Sequence, residues 1–183
     1  MKKKYILAII PFMLATACAQ EPEGELPPAP TTTYHAKLTA YNSTLTTDDS
    51  TSPIVVNIPS DEDPNIFYTF EIGNPCYLNT KSKVSLQICL KPGVSIKSKS
   101  NYYVDRLVVD FFGGKGTNYE VYNNVEKDGD KVNYHSSSRT PTDPDDHGTV
   151  YEYSIQNTGW NIFNATDYNK PTFYYIEVFF AIS

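Results

Sequence analysis

One tryptophan and three cysteines are all that this chain of 183 residues contains, and the scarcity of each excludes a class of chemistry. There is no C-x-x-C pair and no cysteine or histidine grouping at metal-ligand spacing, so neither a redox dithiol nor a zinc site is supported. G-x-S-x-G and H-E-x-x-H are both absent. The glycine-rich run Gly113 to Thr117, "GGKGT", lacks the spacing of a phosphate-binding loop and reads as a turn. Positive charge is also short: 15 Lys and Arg stand against 21 Asp and Glu. No clustered basic face offsets that balance, which disfavours nucleic acid as a partner. No stretch of twelve residues carries a helical apolar stripe, and no fixed-period repeat is visible.

What is present begins at the N-terminus. Lys2, Lys3 and Lys4 precede an apolar run from Tyr5 to Ala15, and Ala15, Thr16 and Ala17 lead into Cys18. A basic start, an apolar middle and a small-residue cleavage site are the layout of a bacterial export signal. The run is shorter than the ~20 residues that span a bilayer, and Pro11 interrupts it. Two cleavages are open. Cutting between Ala17 and Cys18, with acylation of the new terminal cysteine, resembles the lipobox of bacterial lipoproteins, although Leu14 stands four residues before the cysteine instead of three. Cutting after Ala19, at "ACA", gives a product that begins at Gln20.

The segment that follows, "QEPEGELPPAP", holds Glu21, Glu23 and Glu25 among four prolines. Glutamates close behind an acylated cysteine resemble the export tag of surface-exposed lipoproteins in the Bacteroidota. Asp49-Ser50-Thr51 resembles the O-glycosylation acceptor of the same phylum, with Ser50 as the modified residue; a polar turn is the other reading. The resemblance covers the signal, the tag and one tripeptide. It implies a lipid anchor at Cys18 in the outer membrane and a domain held on the cell surface, and it implies no activity. The expected organisation is a signal over residues 1–17, an acidic, proline-rich, extended tether over 18–33, and one domain over 34–183. Three basic residues leave with the signal, so the chain from Cys18 onward carries 12 basic and 21 acidic residues, a formal charge of −9.

Within the domain, period-two alternation recurs. "IFYTFEI" aligns Ile66, Tyr68, Phe70 and Ile72. "VSLQICL" aligns Val84, Leu86, Ile88 and Leu90 against Ser85, Gln87 and Cys89. "YYVDRLVVDFF" alternates Tyr103, Asp105, Leu107, Val109 and Phe111 with the other face. "FYYIEVFFAI" is apolar on both faces except for Glu177, the pattern of a central strand. With "YHAKLTAY", "PIVVNI", "NYEVYN", "KVNYH" and "TVYEYSI", about nine short strands and little helix predict an all-β, antiparallel β-sandwich, either jelly-roll or immunoglobulin-like. Asp128-Gly129 marks a hairpin turn. Cys76 and Cys89, an even pair in an exported chain, are expected to form a disulfide across a hairpin of "NIFYTFEI" and "VSLQICL".

Candidate chemistry is sparse, and no catalytic residue is assigned. A Ser136–His147–Asp triad can be written only on paper. Asp105 and Asp110 alternate to opposite faces of one strand and do not form a glycosidase pair. Asp143, Asp145 and Asp146 place three hard oxygen donors in four residues, which suits Ca²⁺; a solvated acidic loop is the other reading. No cofactor is expected beyond such a structural Ca²⁺. Fifteen tyrosines supply rings with polar tips. Trp160, with Asn161, Asn164 and Tyr168 close in sequence, has the make-up of a glycan site, an aromatic platform beside hydroxyl-binding amides. The other reading is a tryptophan plugging the end of the sandwich. The expected function is a cell-envelope binding domain for glycans; the alternative is a non-catalytic protein-interaction or structural subunit of a surface assembly.

Overall fold

The computed structural model describes residues 33–45, 53–73, 76–80, 85–112, 119–123, 133–134, 136–165 and 170–182. Cys18, Ser50, Tyr168, Val84, the run Gly113 to Thr117 and the Asp128-Gly129 turn lie outside the described residues. Within them the chain forms twelve strands: β1 (Tyr34–Thr39), β2 (Ile54–Pro59), β3 (Phe67–Ile72), β4 (Cys76–Asn79), β5 (Gln87–Leu90), β6 (Ser95–Ser98), β7 (Tyr103–Phe112), β8 (Glu120–Tyr122), β9 (Ser136–Arg139), β10 (Thr149–Asn157), β11 (Asn161–Phe163) and β12 (Thr172–Ala181).

They build two antiparallel sheets. One runs β4-β5-β12-β7-β10-β9, with β1 also paired to β12; the other runs β2-β3-β6-β11-β8. Both contribute to one apolar core, so the arrangement is the all-β sandwich that the alternation predicts. β12 is central: β7 pairs along one side, and β1 and β5 share the other. Its inner face lies in the core, and on its outer face Tyr174 and Tyr175 are buried while Glu177 and Phe179 are only partly so, which accounts for its nearly unbroken apolar sequence.

The sequence pattern finds eight of these strands and misses β4, β6, β9 and β11. The missed ones are short and rich in serine or asparagine, and backbone pairing with a neighbour holds them. Of "KVNYH" only Asn133 and Tyr134 are described; Asn133 bridges to Tyr122, and the Tyr134 N–H donates to the Val121 carbonyl.

The expected hairpin of β3 with β5 is corrected. The chain crosses from one sheet to the other between Ile72 and Cys76, and the "loop" holding Cys76 is β4, which pairs with β5. The expected disulfide falls with it. Cys76 stands opposite Leu90, and Cys89 stands opposite Tyr77. In this one-residue offset the two side chains leave opposite faces of the sheet. Cys76 enters the core, its thiol donating to the Cys89 carbonyl at 2.9 Å, and both cysteines are buried thiols.

Register slips decide what faces out. Phe179 and Phe180 on β12 oppose Arg106 and Val104 on β7, which leaves Asp105 as an extra residue. Phe173 and Tyr175 oppose Phe111 and Asp110, which leaves Tyr174 as another on β12. Each bulge turns the alternation by one residue. The inward residues of β7 are therefore Val104, then Leu107, Val109 and Phe111, where strict alternation expects Tyr103 and Asp105 in line with the last three. On β12 they are Phe173, then Ile176, Val178 and Phe180. Tyr174 and Tyr175 both turn outward, joining Val108 and Val150 in a small second cluster on the outer face of the larger sheet.

Candidate functional site

The expected glycan platform is not on the surface. Trp160 is fully buried, stacked on Tyr68 and edge-on to Phe70. Its indole N–H donates to the Tyr68 hydroxyl at 2.9 Å, which is 2.6 Å from Ser98 Oγ. Trp160 is the core plug, because a ring that size with its one donor satisfied packs best where the two sheets close. Asn164, also fully buried, donates its amide to the Leu90 carbonyl at 3.1 Å and ties the two sheets together. Asn161 donates to the Tyr122 hydroxyl, and its Oδ1 is buried without a hydrogen-bond partner among the described residues.

The cavities that make a candidate site lie on the other sheet. Residues 140–148 fold back over the outer face of β12 and β7, above the Val108–Tyr174–Tyr175 cluster. Their hinge is Gly148, whose backbone lies so close that an added Cβ would meet the Phe111 carbonyl oxygen at 2.4 Å. The buried Asp110 carboxylate accepts the His147 and Gly148 N–H groups at 2.7 and 2.8 Å. Burial raises the pKa of Asp110, and these two bonds oppose the shift.

The acidic triplet is divided among separate partners. Asp143 and Asp145 lie 3.1 and 3.6 Å from the Lys37 ammonium. The side chain of Asp146 is shut off from solvent and accepts from the Tyr175 hydroxyl, from Arg139 and from the N–H groups of Thr142 and Asp143. Burial works to raise the pKa of Asp146, and these donors outweigh it and hold it below the ordinary carboxylate value. Cations from β1 and β9, with loop amides, therefore pair the carboxylates that the sequence offers to Ca²⁺. No group of three or more His, Cys, Asp or Glu arranged to hold a metal is found among the described residues.

Beside this loop, Lys37, Thr39, Tyr41, Ser85, Asp145, His147, Tyr174 and Tyr175 line a pocket of about 190 Å³. The Lys37 ammonium sits 4.3 Å from the Tyr175 ring centroid, and the His147 ring meets Tyr174 edge-on. Tyr41 stands at the pocket with 73% of its surface exposed, and the turn that carries it is tightly fixed. Asn42 accepts from the Thr39 N–H and donates to the Lys37 carbonyl; the buried Ser43 donates to the Ala40 carbonyl. Thr44 has φ of 58°, a costly left-handed conformation for a β-branched residue. These bonds fix the backbone of the turn, and it presents the Tyr41 ring largely exposed at the mouth of the pocket.

Across the Lys37–Asp143 contact lies a groove of about 510 Å³, lined by Arg106, Val108, Arg139, Asp143, Glu177 and Phe179 among others. The Arg106 guanidinium lies 3.8 Å from the Phe179 ring centroid and pairs with Glu152 at 3.2 Å. His35 stacks on the same ring, and each of its nitrogens faces a carboxylate, Glu62 on one side and Asp61 on the other. Glu177, half-buried beside Lys37 and His35, has its pKa raised by burial, against the pull of the Lys37 ammonium. Ser136 and His147 line different pockets, so the paper triad is not assembled. Of the residues that form these cavities, the sequence pattern marks only Asp143 and Asp145 as ligand-holding. Tyr41 had a legible signal, an aromatic followed by the turn residues Asn42 and Ser43; the outward pair Tyr174–Tyr175 had none, because a bulge creates it.

No family model, no curated protein and no solved structure matches this chain.

Proposed function

We propose that this protein is a cell-envelope lipoprotein, anchored through Cys18, whose β-sandwich is a non-catalytic glycan-binding module with its site at the Tyr41–Tyr174–Tyr175 pocket. The observation that carries the reading is Tyr41: a largely exposed aromatic ring, carried on a hydrogen-bonded turn, beside a pocket whose remaining lining is rich in hydroxyl, ammonium, carboxylate and imidazole groups. Sugars are bound by that pairing, a flat ring for C–H faces and convergent polar groups for hydroxyls. The pocket volume suits a single sugar ring. The tyrosine-rich composition, once Trp160 is assigned to the core, supports the same surface.

Calorimetric titration of the full chain with a panel of polysaccharides and peptidoglycan fragments tests the reading. Saturable heat with one glycan, abolished in Tyr41→Ala, is the expected result; no heat with any member overturns it. Labelling with palmitate, lost in Cys18→Ala, tests the anchor.

A second reading rests on β2. It is one of the two edge strands of the smaller sheet, and Val55 on it is exposed, a surface suited to pairing with a strand from another protein.

A further inference from the structure

Cavities lie side by side across the outer face of the larger sheet. The Tyr41 pocket and the Arg106 groove share a wall: Lys37 and Asp145 line the first, Asp143 lines the second, and the Lys37 ammonium bridges both aspartates. Beyond Arg106 lies a further depression of about 350 Å³ lined by Asp105, Arg106, Ser136, Ser137, Glu152 and Ser154. Arg106 belongs to both cavities. The line therefore runs from β1 over β12 and β7 to β10 and β9, across the strands and not along them. From β1 to β10 is three inter-strand steps, roughly 14 Å at about 4.8 Å each. That is longer than one sugar ring.

The charges along this line are already matched. Lys37 is held by Asp143 and Asp145, Arg106 by Glu152, and Arg139 by Asp146. Asp105 and Glu177 add carboxylates in excess of the cations. A ligand bearing uronate or sulfate groups would meet net repulsion from such a surface, whereas hydroxyls are served by it, because paired charges still present donors and acceptors at their edges. Phe179, floored by Val108 and fixed by Arg106 and His35, adds an apolar stop between the polar ends.

We infer that the outer face of the larger sheet is a cleft for an internal segment of an extended, uncharged glycan chain, with Tyr41 at one end and Ser137 and Asp105 at the other. This rests on the glycan-binding reading above and adds length, charge and direction to it. The chain crosses β12 and β7, passes over the Lys37–Asp143 bridge and leaves past Arg106. The bulge at Asp105 contributes directly, since it places that carboxylate in the far depression, away from the core.

The test is calorimetry on the full chain with neutral oligosaccharides of increasing length (β-1,4-linked gluco-, xylo- and manno-series and the α-1,4-linked gluco-series), with polygalacturonate and heparin as charged comparators. In the series that binds, affinity is expected to rise about tenfold from disaccharide to the longest oligomer, equivalent to 1.4 kcal/mol. Ser137→Trp places a bulky ring in the far depression from an exposed edge-strand position, where it disturbs no core contact. It is expected to bring the long oligomer down to the affinity of the short one, and Tyr41→Ala to abolish the binding of both. Affinity that stops rising at a single sugar or a disaccharide, or a Ser137→Trp variant that still discriminates length, overturns the cleft and leaves the glycan reading standing. Tighter binding of polygalacturonate or heparin than of every neutral chain overturns the uncharged assignment. Absence of binding by every probe overturns both the cleft and the function it rests on.

Discussion

The Tyr175 hydroxyl lies 2.5 Å from Oδ1 of Asp146, and through that contact the central strand of the larger sheet holds the loop that shapes the candidate site. Arg139 donates to both groups, at 3.2 Å each, so strand, loop and edge strand meet at one carboxylate. The Tyr175 hydroxyl proton is held tightly: burial and the adjacent Asp146 both raise its pKa.

Tyr175→Phe removes this donor from a carboxylate whose side chain is closed to solvent. A hydrogen bond to a charged group is worth about 1.5–3 kcal/mol, and urea denaturation is expected to show a loss in that range. Glycan affinity should fall as well, because Asp145 and His147 lose their anchor.

The acid limb of stability should depend on Asp146. Its folded pKa lies below the ordinary carboxylate value, so its stabilisation is complete above about pH 4 and is lost as pH falls through the lowered value. Asp110 has the opposite sign: its folded pKa is raised, so its ionisation removes stability as pH rises from the ordinary value through the folded one. Urea midpoints measured against pH are expected to fall in acid, and Asp146→Asn should flatten that fall while lowering the plateau at neutral pH.

Gly148→Ala brings a methyl to 2.4 Å from the Phe111 carbonyl oxygen and 2.7 Å from Asp110 Oδ1. Neither has room to yield, since both lie in a buried central strand. Overpacking of this kind costs about 1–3 kcal/mol, and the melting temperature should drop accordingly. Amide exchange at His147 should accelerate.

Trp160 should fluoresce as a buried indole, with emission at the blue edge and unchanged by any glycan. Trp160→Phe leaves the Tyr68 hydroxyl without its indole donor and opens a void, and a loss of about 1–3 kcal/mol in denaturation is expected. A red baseline that shifts on glycan addition would return Trp160 to the ligand surface.

Cys76 and Cys89 should both accept an alkylating label in denaturant without prior reduction, read by mass spectrometry. Labelling only after reduction would show that they are bonded and that the β4–β5 register differs from the one described.

The linear sequence by itself determined the class of fold and its core strands. Alternation in "IFYTFEI" and "VSLQICL", and the two-faced apolar run of β12, are local consequences of which faces must leave water, so they are legible without coordinates. The sandwich and the central place of β12 follow from them. Register did not follow, because it depends on which strand lies opposite. The bulges at Asp105 and Tyr174 turn the alternation over, and only pairing reveals that Tyr174 and Tyr175 both face outward. A one-residue offset likewise sends Cys76 and Cys89 to opposite faces, although their spacing suits a staple. Trp160 was ambiguous for the same reason: an aromatic among asparagines describes either a surface platform or a plug, and its satisfied indole bond to Tyr68 decides for the plug. The site is assembled from β1, β12, β7 and the loop 140–148, segments distant in sequence, so its chemistry exists only once tertiary packing places Tyr41, Lys37, Asp145 and Tyr175 side by side.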